Sequence, residues 1–180
     1  MRTLALPPSW EQRVLVVTAI ERPERWFEPG EIPSFPLEKR RMEWMLSRIA
    51  AKELAQRIGA PQMVASHSPT LSLSHTRGFG AAAIDERPIG VDIESPREIK
   101  RGAAHLFLDD EETRVMDRCT LPLALLHFWC AKEAAWKQAG GKVTTLKQIR
   151  LRLEEETPSG LRFDCAETFT SDVIVAVTRK

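Results

Sequence analysis

Ile89-Gly90-Val91-Asp92-Ile93-Glu94 alternates with a period of two. On a strand, Ile89, Val91 and Ile93 share one face, and Gly90, Asp92 and Glu94 share the other. The apolar face reads as core, which leaves two carboxylates about 7 Å apart on the opposite side. Carboxylates so placed suit a hard cation that takes oxygen ligands. Gly90 is expected to leave room beside them for a ligand to approach. An edge strand with a solvated acidic face would carry the same letters.

Downstream of this strand, residues 98–118 and 122–139 read as two helices, the second ended by Gly140-Gly141. Within it, Phe128-Trp129-Cys130-Ala131-Lys132-Glu133-Ala134-Ala135-Trp136-Lys137 sets Trp129, Glu133 and Lys137 four apart on one face. Glu133 could give a third oxygen to the same cation, and Lys137, one turn on, could hold a phosphate that the cation also binds. Lys132 points elsewhere and serves a neighbouring contact. The plain alternative is a surface Glu–Lys pair stabilising by about 0.3–0.5 kcal/mol. Residues 149–154, 161–167 and 173–178 read as an antiparallel meander broken at Pro158-Ser159-Gly160.

Upstream, the β-branched run at residues 13–20 reads as a buried strand, followed by a Pro-rich loop to Pro36. Residues 37–58 read as one long helix stopped by Gly59. Its Arg41, Arg48 and Lys52 fall on one stripe with Arg40 beside it, a candidate anion site or a solvated face. After a loop at 60–70, residues 71–74 and 79–85 read as a hairpin turning at His75-Thr76-Arg77-Gly78. The pattern predicts an α+β protein of two halves, residues 1–88 and 89–180.

Hydrophobic residues make up 43% of the chain and charged residues 28%, with a net charge of +1. A balance so near neutral steers the protein neither to nucleic acid nor to an anionic membrane, so any anion site must be a local cluster. No apolar run nears the roughly 20 residues of a membrane helix, and the first residues are too short an apolar stretch for a signal peptide. Three cysteines, Cys119, Cys130 and Cys165, without CxxC spacing, read as reduced thiols in a cytoplasmic protein.

Gly90-Val91-Asp92-Ile93-Glu94 followed by Trp129-Cys130-Ala131-Lys132-Glu133-Ala134-Ala135-Trp136-Lys137 resembles the paired signature of the 4′-phosphopantetheinyl transferases. Order, interval and the preceding Leu73-Ser74-His75-Thr76 make the resemblance specific, where either motif alone would not. It covers residues 71–178 well and 36–57 loosely, and it is closest to the surfactin-synthetase-activating type. There, two similar halves of one chain form a pseudo-dimer with the active site at their junction, and the chain is expected to work as a monomer. The resemblance implies transfer of the phosphopantetheine arm of coenzyme A to a serine of an acyl or peptidyl carrier protein. It implies Mg²⁺ on Asp92, Glu94 and Glu133, with Asp92, Glu133 and Lys137 catalytic and Glu133 the base. It implies coenzyme A phosphates on Ser74, His75 and Lys137, and on Arg41, Arg48 and Lys52 of the stripe.

A second Ser-His-Ser, Ser66-His67-Ser68, matches the family's letters better but lacks a preceding strand, so Ser74-His75-Thr76 is preferred. The family's Gly-Lys-Pro segment is replaced here by Gly59-Ala60-Pro61, with no Lys between positions 53 and 99. That departure leaves a non-catalytic homologue, binding carrier protein or nucleotide, as the alternative. A metal-dependent phosphohydrolase using the same carboxylates is a further one.

Overall fold

The computed structural model describes residues 1–64, 70–140 and 142–179. Strands β1 (Arg2–Thr3), β2 (Val14–Thr18), β3 (Leu71–Thr76) and β4 (Phe79–Ile84) form one antiparallel sheet in the order β1-β2-β4-β3. Strands β5 (Val91–Glu94), β6 (Leu153–Thr157), β7 (Gly160–Phe163), β8 (Ala166–Thr170) and β9 (Ile174–Thr178) form the other, ordered β5-β9-β8-β7-β6. Helix α1 (Glu38–Arg57) covers the first sheet, and α2 (Asp110–Met116) and α3 (Ala124–Ala139) lie on the second. The protein is α+β, with two antiparallel sheets.

Strand alternation sorts the core into layers. Val14, Val16, Ala81 and Ala83 of the first sheet pack against Val91, Ile93, Val175 and Val177 of the second. Leu15, Val17, Ala82 and Ile84 turn the other way, onto Leu46, Ala50 and Leu54 of α1. Ile174 and Ala176 turn from the sheet interface onto Leu126, Cys130 and Ala134 of α3. Asp92 and Glu94 thus leave the apolar face of β5 and point to the α3 side, as the alternation predicts.

Two glycines let the helices come in close. A Cβ on Gly80 would lie 2.2 Å from the Leu46 carbonyl carbon, and one on Gly90 1.8 Å from the Ala134 oxygen. The space at Gly90 is therefore taken by the backbone of α3, not kept for a ligand, because only a residue without a side chain lets that crossing form.

Local structure departs from the sequence expectation in three places. The hairpin turns on Arg77-Gly78 alone, with Gly78 at φ +78°, so His75 and Thr76 belong to β3 and face Gly80 and Phe79. The helix expected over 98–118 is a 3₁₀ segment at Arg101–Leu106 and a separate α2. Asp109 starts α2 through a capping box with Glu112, and that cap fixes a new helix origin there. The expected three-strand meander is four strands, because Phe163 and Ala166 flank a further reversal.

Lys132 sits wholly buried, with Nζ 2.7 Å from Glu112 and 2.6 Å from the Ile149 carbonyl. Glu112 also accepts the Leu151 and Asp109 amides, at 2.8 and 2.9 Å, so the pair ties α2, α3 and the segment before β6 together. Removing one partner of a buried pair strands the other's charge at about 3–5 kcal/mol. Lys132→Met should therefore lower unfolding stability in urea by about 3 kcal/mol. A loss below about 1 kcal/mol would show that Glu112's backbone hydrogen bonds suffice.

Candidate active site

The two sheets meet edge to edge where β3 runs beside β5, and hydroxyls rather than a backbone ladder join them. Ser72, Ser74 and Thr76 accept the amides of Val91, Ile93 and Ser95 at 3.0, 3.3 and 3.2 Å. Alternation of β3 puts these three hydroxyls on one side. Ser74 also donates to Asp92 Oδ1 at 2.8 Å, so its single proton is committed to that carboxylate.

Lys137 comes in from α3. Its ammonium donates to Asp92 Oδ1 at 2.7 Å and to the Val91 carbonyl at 3.0 Å. An ammonium has three N–H donors, so one remains after these two contacts. One turn earlier on α3, Glu133 is half-buried and takes part in none of the site's hydrogen bonds. Burial and the nearby Asp92 and Glu94 charges push its carboxyl above the usual range, against the pull of Lys137. Glu94 is pushed up in the same way, by burial and Asp92. Trp129 steadies Glu94, giving its indole N–H at 3.1 Å while its ring stands edge-on to Phe107 at 5.0 Å. Arg97 flanks the same oxygen at 3.4 Å.

Asp92, Glu94 and Glu133 therefore feel one another's charge. Among the described residues, however, no three His, Cys, Asp or Glu side chains gather closely enough to hold a metal ion. Asp92 is turned to Lys137 and Glu94 to Trp129 and Arg97. The donor set itself fits a hard divalent cation, since it offers oxygens alone and a mutual repulsion that a cation would relieve. The Cys130 thiol lies fully buried beneath, and burial and Asp92 push it well above the ordinary thiol range, so it is no nucleophile.

His75 stands at the rim of this cluster, with Nδ1 3.8 Å from Glu43 of α1. The charges of Lys137, Arg40 and Asp92 all reach it. The stripe of α1 lies apart, with Arg41 and Lys52 against the segment that precedes α1 and Arg48 on Trp44 of α1 itself. Arg41 pairs with Glu24 at 3.3 Å and Glu38 at 3.1 Å, and the Arg48 guanidinium stacks 4.1 Å over Trp44. Lys52 donates to the Trp26 carbonyl at 2.8 Å and pairs with Glu31 at 2.7 Å. Ser66, His67 and Ser68 lie outside the described residues.

Sequence reasoning missed Ser72 and Glu43, and it set Arg40 only beside the stripe. The Ser-x-Ser-x-Thr alternation of residues 72–76 was a legible sign of a hydroxyl-bearing face. Glu43 gave no local signal.

Two comparisons bear on this arrangement. A family model described as the 4′-phosphopantetheinyl transferase superfamily matches residues 88–178. That span holds β5, α3 and every carboxylate of the cluster, but not Ser74 or His75. The 4′-phosphopantetheinyl transferase ffp of Bacillus subtilis is similar, with 28% identity over 118 residues, or 63% of this chain. The aligned part is 53% of that relative, so the chain spans about half the length of the curated protein it matches.

Proposed function

The chain belongs to the 4′-phosphopantetheinyl transferase superfamily, and on that premise we propose that it moves the 4′-phosphopantetheine arm of coenzyme A to a serine of an apo acyl or peptidyl carrier protein. One observation carries the reading: Lys137 of α3 meets Asp92 of β5 at the seam of the two sheets, with Glu94 and Glu133 as charged neighbours. We assign residues 1–88 to coenzyme A contacts and 89–180 to metal and catalytic groups, in the surfactin-synthetase-activating layout. The protein works as a monomer in the cytoplasm.

In the transfer, the serine Oγ–P bond forms as the pyrophosphate P–O bond breaks, and 3′,5′-ADP leaves. Glu133, with no hydrogen-bonding duty in the site and a raised affinity for protons, takes the serine proton. The remaining N–H of Lys137 points its charge to phosphate. His75 neutralises phosphate charge from the seam's rim. Ser74, its proton given to Asp92, acts by orienting that carboxylate rather than by touching phosphate. Asp92, Glu94 and Glu133 would hold Mg²⁺, which supplies charge neutralisation to the pyrophosphate when bound.

Incubating the protein with coenzyme A, Mg²⁺ and a panel of apo carrier proteins, then weighing each carrier, tests this reading. Transfer adds the mass of phosphopantetheine to at least one carrier. Binding without any mass change favours the non-catalytic homologue, and loss of coenzyme A with unmodified carriers favours a phosphohydrolase.

A further inference from the structure

Glu43 is a carboxylate only 6% exposed, one turn into a helix whose first three residues are open to solvent. A buried carboxylate is retained only with compensating charge. Its companions are Arg40 at 3.5 Å, Lys39 at 3.6 Å and His75 at 3.8 Å. The three side chains are exposed at 64%, 71% and 40%, while that of Glu43 shows 8%. One carboxylate thus stands behind two solvent-facing cations and an imidazole.

The fold explains how this meeting arises. Gly80 pairs across the hairpin with His75, and the absent side chain of Gly80 lets the Leu46–Ser47 backbone of α1 sit against β4. Glu43, one turn before Ser47 on α1, is thereby delivered beside His75. Glu43 lies on the Nδ1 side of the ring at 3.8 Å, an ion-pair rather than a hydrogen-bond distance, so it acts on His75 through charge.

We propose that Glu43 is a positioning residue, holding His75 and Arg40 as a preorganised cationic pair for a coenzyme A phosphate at the seam. This rests on the transferase reading for the identity of the phosphate, but the Glu43–His75 coupling stands on geometry alone. Burial works against a charged His75. Glu43 is the foremost charge opposing that, with Asp92 of β5 on its side and Lys137 of α3 and Arg40 of α1 against it. Glu43 therefore favours the imidazolium, the form that can serve an anion, against the burial that lowers the ring's hold on a proton.

The test has a structural and a kinetic arm. The chain has four histidines, and the NMR signal of His75 is assigned by its absence from His75→Ala. In Glu43→Gln the His75 titration midpoint should fall by roughly half a unit or more, since the charge that raises it is gone. Glu43→Asp should fall between, because it keeps the charge but draws it back. With coenzyme A near pH 7.5, Glu43→Gln should raise KM about fivefold with kcat within twofold. In a His75→Ala background the same change should add less to KM, only the part that Glu43 exerts through Arg40, as residues acting through a shared contact are not additive. A folded Glu43→Gln with an unmoved His75 midpoint overturns the proposal, and so does a full KM effect in the His75→Ala background. Should Glu43→Gln fail to fold, the Glu43→Asp midpoint decides in its place. Absence of any transfer by the wild type sinks the transferase reading instead, and the titration still decides the coupling.

Discussion

Asp92→Ala should abolish transfer, lowering kcat/KM by about a thousandfold, which corresponds to about 4 kcal/mol of lost charge stabilisation. Asp92 is where the seam's contacts converge: one oxygen receives both the Ser74 hydroxyl and the Lys137 ammonium. Its removal leaves Lys137 with the Val91 carbonyl as its one contact, free to swing from its post. The fold should survive, because Asp92 turns from the face on which Val91 and Ile93 pack. Lys137 is partly open to water and can resolvate, and loss of one carboxylate eases the repulsion on Glu94 and Glu133. The melting transition should therefore stay cooperative, with stability changed by at most about 2 kcal/mol. Asp92→Asn makes the sharper control, since its amide oxygen can still accept both hydrogen bonds while the charge is gone. Near-wild-type turnover for either variant in saturating Mg²⁺ would remove Asp92 from the chemistry and leave it a seam residue.

How much of this could be read from the letters differs from residue to residue. The face of Asp92 and Glu94 was legible because strand alternation is local, and the core beneath confirms the sorting. That Lys132 points away from the Glu133–Lys137 face was legible from helical spacing, though its burial and its partner Glu112 were not, since α2 was hidden inside one long expected helix. The Asp109-x-x-Glu112 box was the sign that would have split it. The hydroxyl seam needed knowledge of which edges meet, and no alternation within β3 carries that. The stripe Arg41, Arg48 and Lys52 showed the same blindness. Spacing predicts a shared face, but only the path of a Pro-rich segment decides that Glu24, Glu31 and the Trp26 carbonyl engage it. Under the proposed function, Arg40 and His75, which share Glu43 at the rim of the seam, are candidates to compensate for the lysine absent before the Ser-His motif.

Glu133→Gln should lower turnover about a hundredfold while leaving the protein as stable as before, or slightly more so. The two readings of Glu133 separate cleanly on this variant. A surface partner of Lys137 would, when neutralised, cost a few tenths of a kcal/mol and leave turnover alone. In the structure Lys137 donates to Asp92 and Val91, and Glu133 has no share in those bonds. What Glu133 has is burial and two like-charged neighbours, which raise its carboxyl's hold on a proton. A carboxyl whose folded value is raised weakens the folded state at neutral pH, so removing its charge should not destabilise. The same raised affinity suits a group that must accept a serine proton, and loss of a general base commonly lowers rates by two orders of magnitude or more. Lys137→Ala should behave differently, raising KM for coenzyme A and freeing Asp92 from its main partner. Turnover, KM and melting temperature measured side by side for the two variants decide the matter. Unchanged turnover in Glu133→Gln would make α3 a scaffold at that turn and move the search for the base to Asp92 or Glu94. A fall in turnover accompanied by a large fall in melting temperature would instead mark Glu133 as structural, against the repulsion that its surroundings impose.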